Sequence, residues 1–290
     1  MTDNMHIHIN TINPLILNAG LAIHNADWNW QGVCSPFCRM YYVTEGKACI
    51  HFKHKQVELQ PDHLYIIPAN TPHSYECHGL FSHFYIHFFD ESDNYPDIQD
   101  FLDMPLDGLE ASEYEKNMFD TICRLYPDGV LKESNPESYD NNCGFAEYVR
   151  AFKALPLHAR LHIKGNLLIL IARFIEAAKP KSWTSNPRIL PVLRYINRNI
   201  SQPLSIDTLA DIACVSRQHI IRLFKQNFNQ TPMQFITRKK VEYAELQLLT
   251  TEKQVKNVAY DLGFNDYSYF IRLFRKQTGH TPAAYRKRQK

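Results

Sequence analysis

One pattern near the carboxyl end occurs twice, and a chain that carries it has few folds open to it. The stretch from Val258 to Arg286 reads VAYDLGFNDYSYFIRLFRKQTGHTPAAYR. Val258, Ala259 and Leu262 recur at helical spacing. Gly263 then supplies a residue free to take positive φ at a helix end. Asp266 is a good N-cap for a second helix. In that helix Phe270, Leu273 and Phe274 make an apolar stripe, which leaves Tyr267, Ser268, Ile271, Arg272 and Arg275 on the other side. Helix, tight turn and second helix with a polar N-terminal face form a helix-turn-helix. About fifty residues upstream, Arg222-Leu223-Phe224-Lys225 answers Arg272-Leu273-Phe274-Arg275, and Thr231-Pro232 answers Thr281-Pro282. Phe235 stands for Tyr285, Ser216 for Asp266, and Leu209-Ala210 for Val258-Ala259 with a one-residue slip. A tandem repeat is a far stronger signal than either copy alone.

The second copy, written A-x3-GF-x-D-x-SYF-x-R-x-FR-x3-G-x-TP-x2-YR, resembles the signature of the AraC/XylS family of bacterial transcription regulators. The resemblance covers roughly the last hundred residues. It implies a regulator, more often activator than repressor, with promoter DNA and RNA polymerase as partners.

The first copy opens with a helix over Ile189 to Asn199 and a supporting helix over Leu204 to Ala213, capped by Ser205. Its reading helix runs from Arg217 to Phe228 with Ile220, Leu223 and Phe224 inward. Arg217, Gln218, Ile221, Arg222 and Lys225 then face out, and His219 is counted with them, as Tyr269 is in the second copy. Gln can bond adenine bidentately, Arg guanine, and an apolar side chain can meet a thymine methyl. Solvent exposure alone would also account for these residues; the repeat decides in favour of reading. Lys239, Lys240 and Arg275 lie outside the base-reading positions and are expected at phosphates. A helix over Met233 to Thr250 joins the copies. Its length of about 27 Å falls a little short of the ~34 Å of one DNA turn. Cys214 stands where the second copy has Gly263, and Asn229 where it has Gly279. Asn tolerates left-handed backbone better than Cys, so the first turn is expected to be strained or differently shaped.

Charge divides the chain in the same place. Residues 187–290 hold 18 Lys/Arg and 7 Asp/Glu, +11, whereas residues 1–186 hold 14 and 23, −9. A basic block behind an acidic one suggests a nucleic-acid-binding half joined to a half with another task. Seven cysteines, an odd number without zinc-type pairing, suit a reducing cytoplasm. The first ten residues lack a basic region followed by a long apolar run, so no secretory signal is expected. The longest apolar run, Leu167 to Ala172, is too short to span a bilayer, so no membrane partner is expected.

Before residue 110 the pattern is one of short strands. Arg39 to Glu45, Lys47 to Lys53, His63 to Pro68 and His83 to Phe89 are separated by Gly46, Gln60-Pro61-Asp62 and Ala69-Asn70-Thr71-Pro72. Along the last strand Phe84, Ile86 and Phe88 alternate with His83, Tyr85, His87 and Phe89. Such spacing predicts a sandwich or barrel. The run from Pro61 to Tyr75 resembles the cupin-type sensor domain that commonly precedes this DNA-binding half, while Asn18 to Phe37 matches it poorly. The fold expected is therefore α+β and multidomain. A cupin-like sensing barrel occupies 1–110, a helical dimerisation or connecting region 111–180, a linker 181–187, and an all-α domain of two helix-turn-helix units 188–290.

Three uses of the barrel are open on the sequence. The face bearing His83 and Tyr85 mixes donors, acceptors and rings, which suits a small polar effector such as a sugar. Tyr75, His83 and Tyr85 fall where the resemblance to arabinose-sensing relatives puts sugar contacts, with His73 and His87 beside them. Metal-dependent cupins instead hold an ion with an H-x-H pair, a Glu and a later His; here Cys49-Ile50-His51 stands at the pair, so no metal or cofactor is expected. His73, His83 and His87 keep a metalloenzyme fused to a DNA-binding module as the alternative. The third use is to bind a protein partner only. Trp28 and Trp30 stack on a ligand or close the barrel. The apolar helix from His158 to Ala178, striped by Leu161, Leu168, Ala172 and Ile175, is buried against the barrel or against a second subunit. The family resemblance favours the homodimer.

Overall fold

A computed structural model describes residues 12–91, 98–136 and 144–287; the amino-terminal stretch read for a signal, and most of the loop 133–142, lie outside them. The chain begins with β1 (Pro14–Asn25), β2 (Trp30–Val33), β3 (Cys38–Gly46), β4 (Ala48–Phe52), β5 (Lys55–Leu59), β6 (His63–Ile67), β7 (His73–Glu76) and β8 (Leu80–Asp90). Two antiparallel sheets result. One has the order β1-β8-β3-β6-β10, closed by β10 (Leu109–Glu110), and the other β2-β7-β4-β5. Period-two alternation puts β8 to use on both sides. Phe81, His83 and Tyr85 point between the sheets beside Tyr41, Ile50, Tyr65 and Tyr75, whereas Phe84, Ile86 and Phe88 point out toward the helices.

β1 is the element least visible beforehand. Pro14 to Gly20 are all buried, so the strand shows no alternation, and a register shift between Ile16 and Asn18 breaks its period. Trp28 and the strand β2 that follows it lie in the region that matched poorly, and they belong to the barrel.

Helices α1 (Glu113–Leu125), α2 (Gly144–Ala154) and α3 (Leu157–Ala177) cover the outer face of the five-stranded sheet. Ser112 and Glu115 form a capping box at the start of α1. The buried stripe of α3 is Ile163, Leu167, Leu170, Ile171 and Phe174. Leu157, Leu161 and Ile169 remain exposed, and the expected stripe of Leu161, Leu168, Ala172 and Ile175 turns outward or sideways. Among the described residues, only one side of this apolar helix is buried.

The carboxyl half is helical: α4 (Ile189–Arg198), α5 (Ile206–Ile212), α6 (Arg217–Phe228), α7 (Pro232–Thr250), α8 (Val255–Asp261), α9 (Tyr267–Thr278) and α10 (Pro282–Lys287). The expected polar linker is also an anchor. Trp183 is buried between Phe101 and Phe228, with ring centroids 5.6 and 5.5 Å away. Phe101 and Leu102 come from the segment after the barrel, where β9 (Leu102–Asp103) pairs with β11 (Lys179–Pro180), and they enter the core of the first helix-turn-helix unit. Among the described residues no helix is long and apolar enough to cross a membrane.

Candidate DNA interface and ligand chamber

Each reading helix is set by the same local chemistry. Ser216 caps α6 by accepting from the His219 N–H, and Asp266 caps α9 by accepting from the Ser268 and Tyr269 N–H groups. Cys214 adopts φ 51° and Gly263 φ 70°; Asn229 adopts φ 54° and Gly279 φ 79°. Of the two outcomes expected for the first turn, strain or a different shape, its shape matches: it is the same left-handed turn, held by a cysteine where the second unit has glycine. Cys214 is exposed, so its side chain has room. At Gly263 a Cβ would stand 2.4 Å from the Ser201 carbonyl oxygen, so the second turn accepts glycine alone.

Between these caps the helices bury Ile220, Leu223 and Phe224 in α6 and Phe270 and Phe274 in α9. Arg217, Gln218, Arg222 and Lys225 are exposed, with His219 and Ile221 half-buried. Ser268, Tyr269, Arg272 and Arg275 are exposed, with Tyr267 and Ile271 half-buried. Arg217 is paired with Asp207 of α5.

Two expected phosphate contacts are corrected. Lys240 is buried, its Nζ donating to the Gln202 carbonyl at 3.3 Å and lying 5.3 Å from the Phe264 ring centroid. Lys239 is buried too, its Nζ 2.5 Å from Asp100 Oδ1 and 3.7 Å from Glu242 Oε2. Both are held inside by partners that replace water, so neither faces a duplex.

The barrel holds a cavity of about 200 Å³ lined by His24, Trp28, Tyr41, His83, Tyr85 and His87, with the largely exposed stretch 130–134 forming part of its wall on the solvent side. Burial holds His83 and His87 well below the ordinary histidine pKa, so both are neutral. His24 is also lowered by burial, against the opposing pull of Asp27 at 3.3 Å. His87 Nε2 lies 3.4 Å from the Arg39 guanidinium, which only donates, so the imidazole proton sits on Nδ1. The His83 Nδ1 and both side-chain amide atoms of Asn18 are buried without a hydrogen-bond partner among the described residues.

Tyr75 and His73, which the sequence placed at the ligand, are not among the residues lining this cavity; they stand one layer behind it. The Trp28 ring lies over Tyr75, centroids 4.1 Å apart and 25° from parallel. Burial, then Arg39, lowers the His73 pKa to about 3, so its ring is neutral. Its Nδ1 donates to the Thr71 carbonyl at 2.7 Å, which leaves Nε2 to accept from the Tyr75 hydroxyl at 2.8 Å. Tyr75 therefore accepts from the Tyr41 hydroxyl at 2.7 Å, and Tyr41 in turn lines the cavity. Sequence reading missed His24, Tyr41 and the covering segment 130–134. The last two are far from β8 in the chain, and only strand pairing and helix packing bring them together. Among the described residues no group of three or more His, Cys, Asp or Glu side chains is arranged to hold a metal. A second cavity, about 90 Å³ and mainly apolar, lies between the barrel, α3 and α7 beside Phe88, Met104, Ile171 and Leu246.

Comparison with known proteins bears on both halves. Residues 20–94 match the AraC-like ligand binding domain, and residues 209–288 match a helix-turn-helix domain. The bifunctional transcriptional activator/DNA repair enzyme AdaA of Bacillus subtilis is 35% identical over 99 residues, 34% of this chain and 47% of AdaA, so the chain spans about half the length of that relative. The regulatory protein SoxS of Escherichia coli is 34% identical over 100 residues, 34% of this chain and 94% of SoxS. The transcriptional activator RhaS of Mannheimia succiniciproducens is 24% identical over 229 residues, 78% of this chain and 77% of RhaS. With one relative matched along nearly its whole length, and a ligand-binding domain ahead of the repeat, the chain belongs to the AraC family of DNA-binding transcription regulators.

Proposed function

We propose that this regulator activates transcription by reading one long asymmetric operator with both helices of a single chain, in response to a small polar effector held in the barrel. The observation that carries the reading is the matched pair α6 and α9. Each is capped the same way, buries aromatic and aliphatic residues on one face, and offers Arg and polar side chains on the other. Gln218 and Arg222 share one exposed face near the start of α6; Tyr267, Ser268 and Arg272 hold the corresponding places in α9. Arg217, His219, Ile221, Lys225, Tyr269, Ile271 and Arg275 complete the two faces. α7 has 19 residues, about 28 Å, so the helices it joins reach successive major grooves with modest bending of the DNA.

For the effector, the chamber offers a neutral imidazole at His83, the Trp28 ring and the ring of Tyr85. That chemistry suits an uncharged hydroxylated ring such as a monosaccharide. The outward face of α3, with Leu157, Leu161, Leu168 and Ile169 around Gly165, suits a second copy of the chain. A Cβ at Gly165 would meet nothing within 4 Å, which leaves room for a close helix approach. RNA polymerase is the further partner and the cytoplasm the site of action, as relatives named activators suggest.

Binding to a set of single-base operator variants tests the reading assignment. Gln218→Ala should flatten preference at one base pair and leave the others unchanged; an equal loss on every variant would reduce Gln218 to a residue that holds the helix in the groove. A thermal-shift series with monosaccharides tests the chamber, because a ligand of the native state raises the midpoint. His83→Ala should abolish that rise. Leu168→Glu should give soluble monomer in sedimentation if α3 is the dimer face.

A further inference from the structure

The chamber, the segment that covers it and the linker helix α7 are joined by one continuous run of contacts. The Tyr85 ring lines the chamber, and its hydroxyl oxygen accepts from the Leu131 N–H at 2.8 Å. Gly20, opposite Tyr85 in β1, permits this placement: a Cβ there would stand 2.5 Å from the tyrosine oxygen. Leu131 belongs to the stretch 130–134, which lines the chamber on one side and faces solvent on the other. Next to it, the Val130 carbonyl accepts from the Tyr148 hydroxyl at 3.1 Å. Tyr148 lies on α2, and its own carbonyl accepts from Tyr126 at 2.6 Å. The same α2 packs along α7, and two residues past Tyr148 its Arg150 pairs with Glu252 at 2.7 Å, just beyond the end of α7.

We propose that Val130–Ser134 is a lid on the chamber and that α2 transmits its docking to α7, with Tyr85 as the positioning residue that senses occupancy. This regulation rests on the reading of the chamber as the effector site. The Tyr85 oxygen already accepts from the lid, so its own proton is available to a ligand hydroxyl. Donating that proton strengthens the bond the oxygen accepts, because hydrogen bonds in series polarise one another. A bound ligand therefore favours the docked lid over the lifted one, which is the differential interaction a switch requires. A docked lid fixes Tyr148, hence α2, hence the end of α7. Since α7 sets the separation of α6 and α9, the lid biases how well both helices meet their grooves at once.

Hydrogen exchange of the full chain, with neither ligand nor DNA present, tests the relay. Tyr85→Phe removes the acceptor of the Leu131 N–H while keeping the ring. Exchange in 130–134 should quicken about tenfold, and exchange in α2 and α7 should quicken with it. Tyr148→Phe should quicken α2 and α7 and leave the lid's bond to Tyr85 in place. In the double variant the lid, which also loses the Tyr148 bond to Val130, should exchange at least as fast as in Tyr85→Phe, with no further change in α7. A faster lid with unchanged α7 overturns the relay, and so does a fully additive effect on α7. Should Tyr85→Phe fold poorly, Gly20→Ala displaces the same hydroxyl from the opposite strand and must reproduce the pattern. The chamber reading fails separately: no monosaccharide would then shift the melting of a wild-type chain whose relay is intact.

Discussion

The two helix-turn-helix units share a sequence pattern and differ in what surrounds them. The first is finished by residues from outside the domain, since Phe101, Leu102 and Trp183 lie in one cluster with Ile189, Val192, Leu209, Ile220 and Phe224. The second packs through Val258, Phe264, Phe270, Phe274 and Tyr285 into the cluster that continues through α7 to the helices over the barrel. Their turns differ in the same sense. Cys214 faces solvent in the first, while Gly263 of the second is pressed on the Ser201 carbonyl. The comparison separates what a repeat fixes, namely caps, turn and buried stripe, from what its position decides.

The sharpest way to break the symmetry is to remove a side chain that belongs to neither unit. Phe101→Ala should cost about 3–5 kcal/mol, and the loss should appear as faster exchange in α4 to α6 ahead of α8 and α9. Equal loosening of both units would mean they fold as one body. Next comes the exchange of turn residues. Gly263→Cys combines left-handed strain with a backbone collision and should cost about 2–4 kcal/mol in denaturant titrations. Cys214→Gly relieves strain but frees the unfolded chain, so its effect should lie within about 1 kcal/mol of zero.

On DNA the expected losses are smaller. Gln218→Ala should cost about 1–3 kcal/mol at its preferred base pair with little change in salt dependence. Lys240→Ala should leave the slope of log affinity against log salt unchanged, because its ammonium is committed to Gln202. A fall in slope of about one would return Lys240 to the phosphate backbone.

The smallest effect is one of pH. Burial raises the Glu245 pKa from 4.5 to about 7, with Tyr285 of the second unit pulling it back. A folded pKa above the unfolded one means the contribution is complete below about 4.5 and is lost as pH rises through 7. Protection in α9 and α10, taken relative to the intrinsic exchange rate at each pH, should therefore rise on going from pH 7.5 to 5.5, and Glu245→Gln should flatten that rise. The barrel answers with the opposite sign. His73, His83 and His87 have lowered values, so their contribution is present above 6.5 and fades as pH falls.

The reading helices were legible because local chemistry writes them: Ser216 and Asp266 cap, Phe224 and Phe274 mark the buried face, and the repeat fixes the frame. Strands β4, β6 and β8 showed because each has one clear alternation or bounding turns. β1 did not, since both of its faces are buried and its register shifts. The chamber was half legible. His83, Tyr85 and His87 share a strand and announce one face, but Tyr41 and Leu131 reach it only through long-range pairing. Lys239 and Lys240 were misplaced because a basic side chain on a basic domain gives no local sign of an acidic or carbonyl partner elsewhere, such as Asp100 or Gln202.

Trp183 has a consequence for how such chains recombine. A sensor and a DNA-binding half look exchangeable at a polar linker, and a graft cut at residue 187 would keep every helix of the repeat. It would also leave Phe228 without the indole it meets and the first unit without Phe101. A sensor acquired from elsewhere must bring an aromatic wedge of matching shape, so the join most tolerant of shuffling lies upstream of the wedge, before Phe101, and not where the sequence looks loosest.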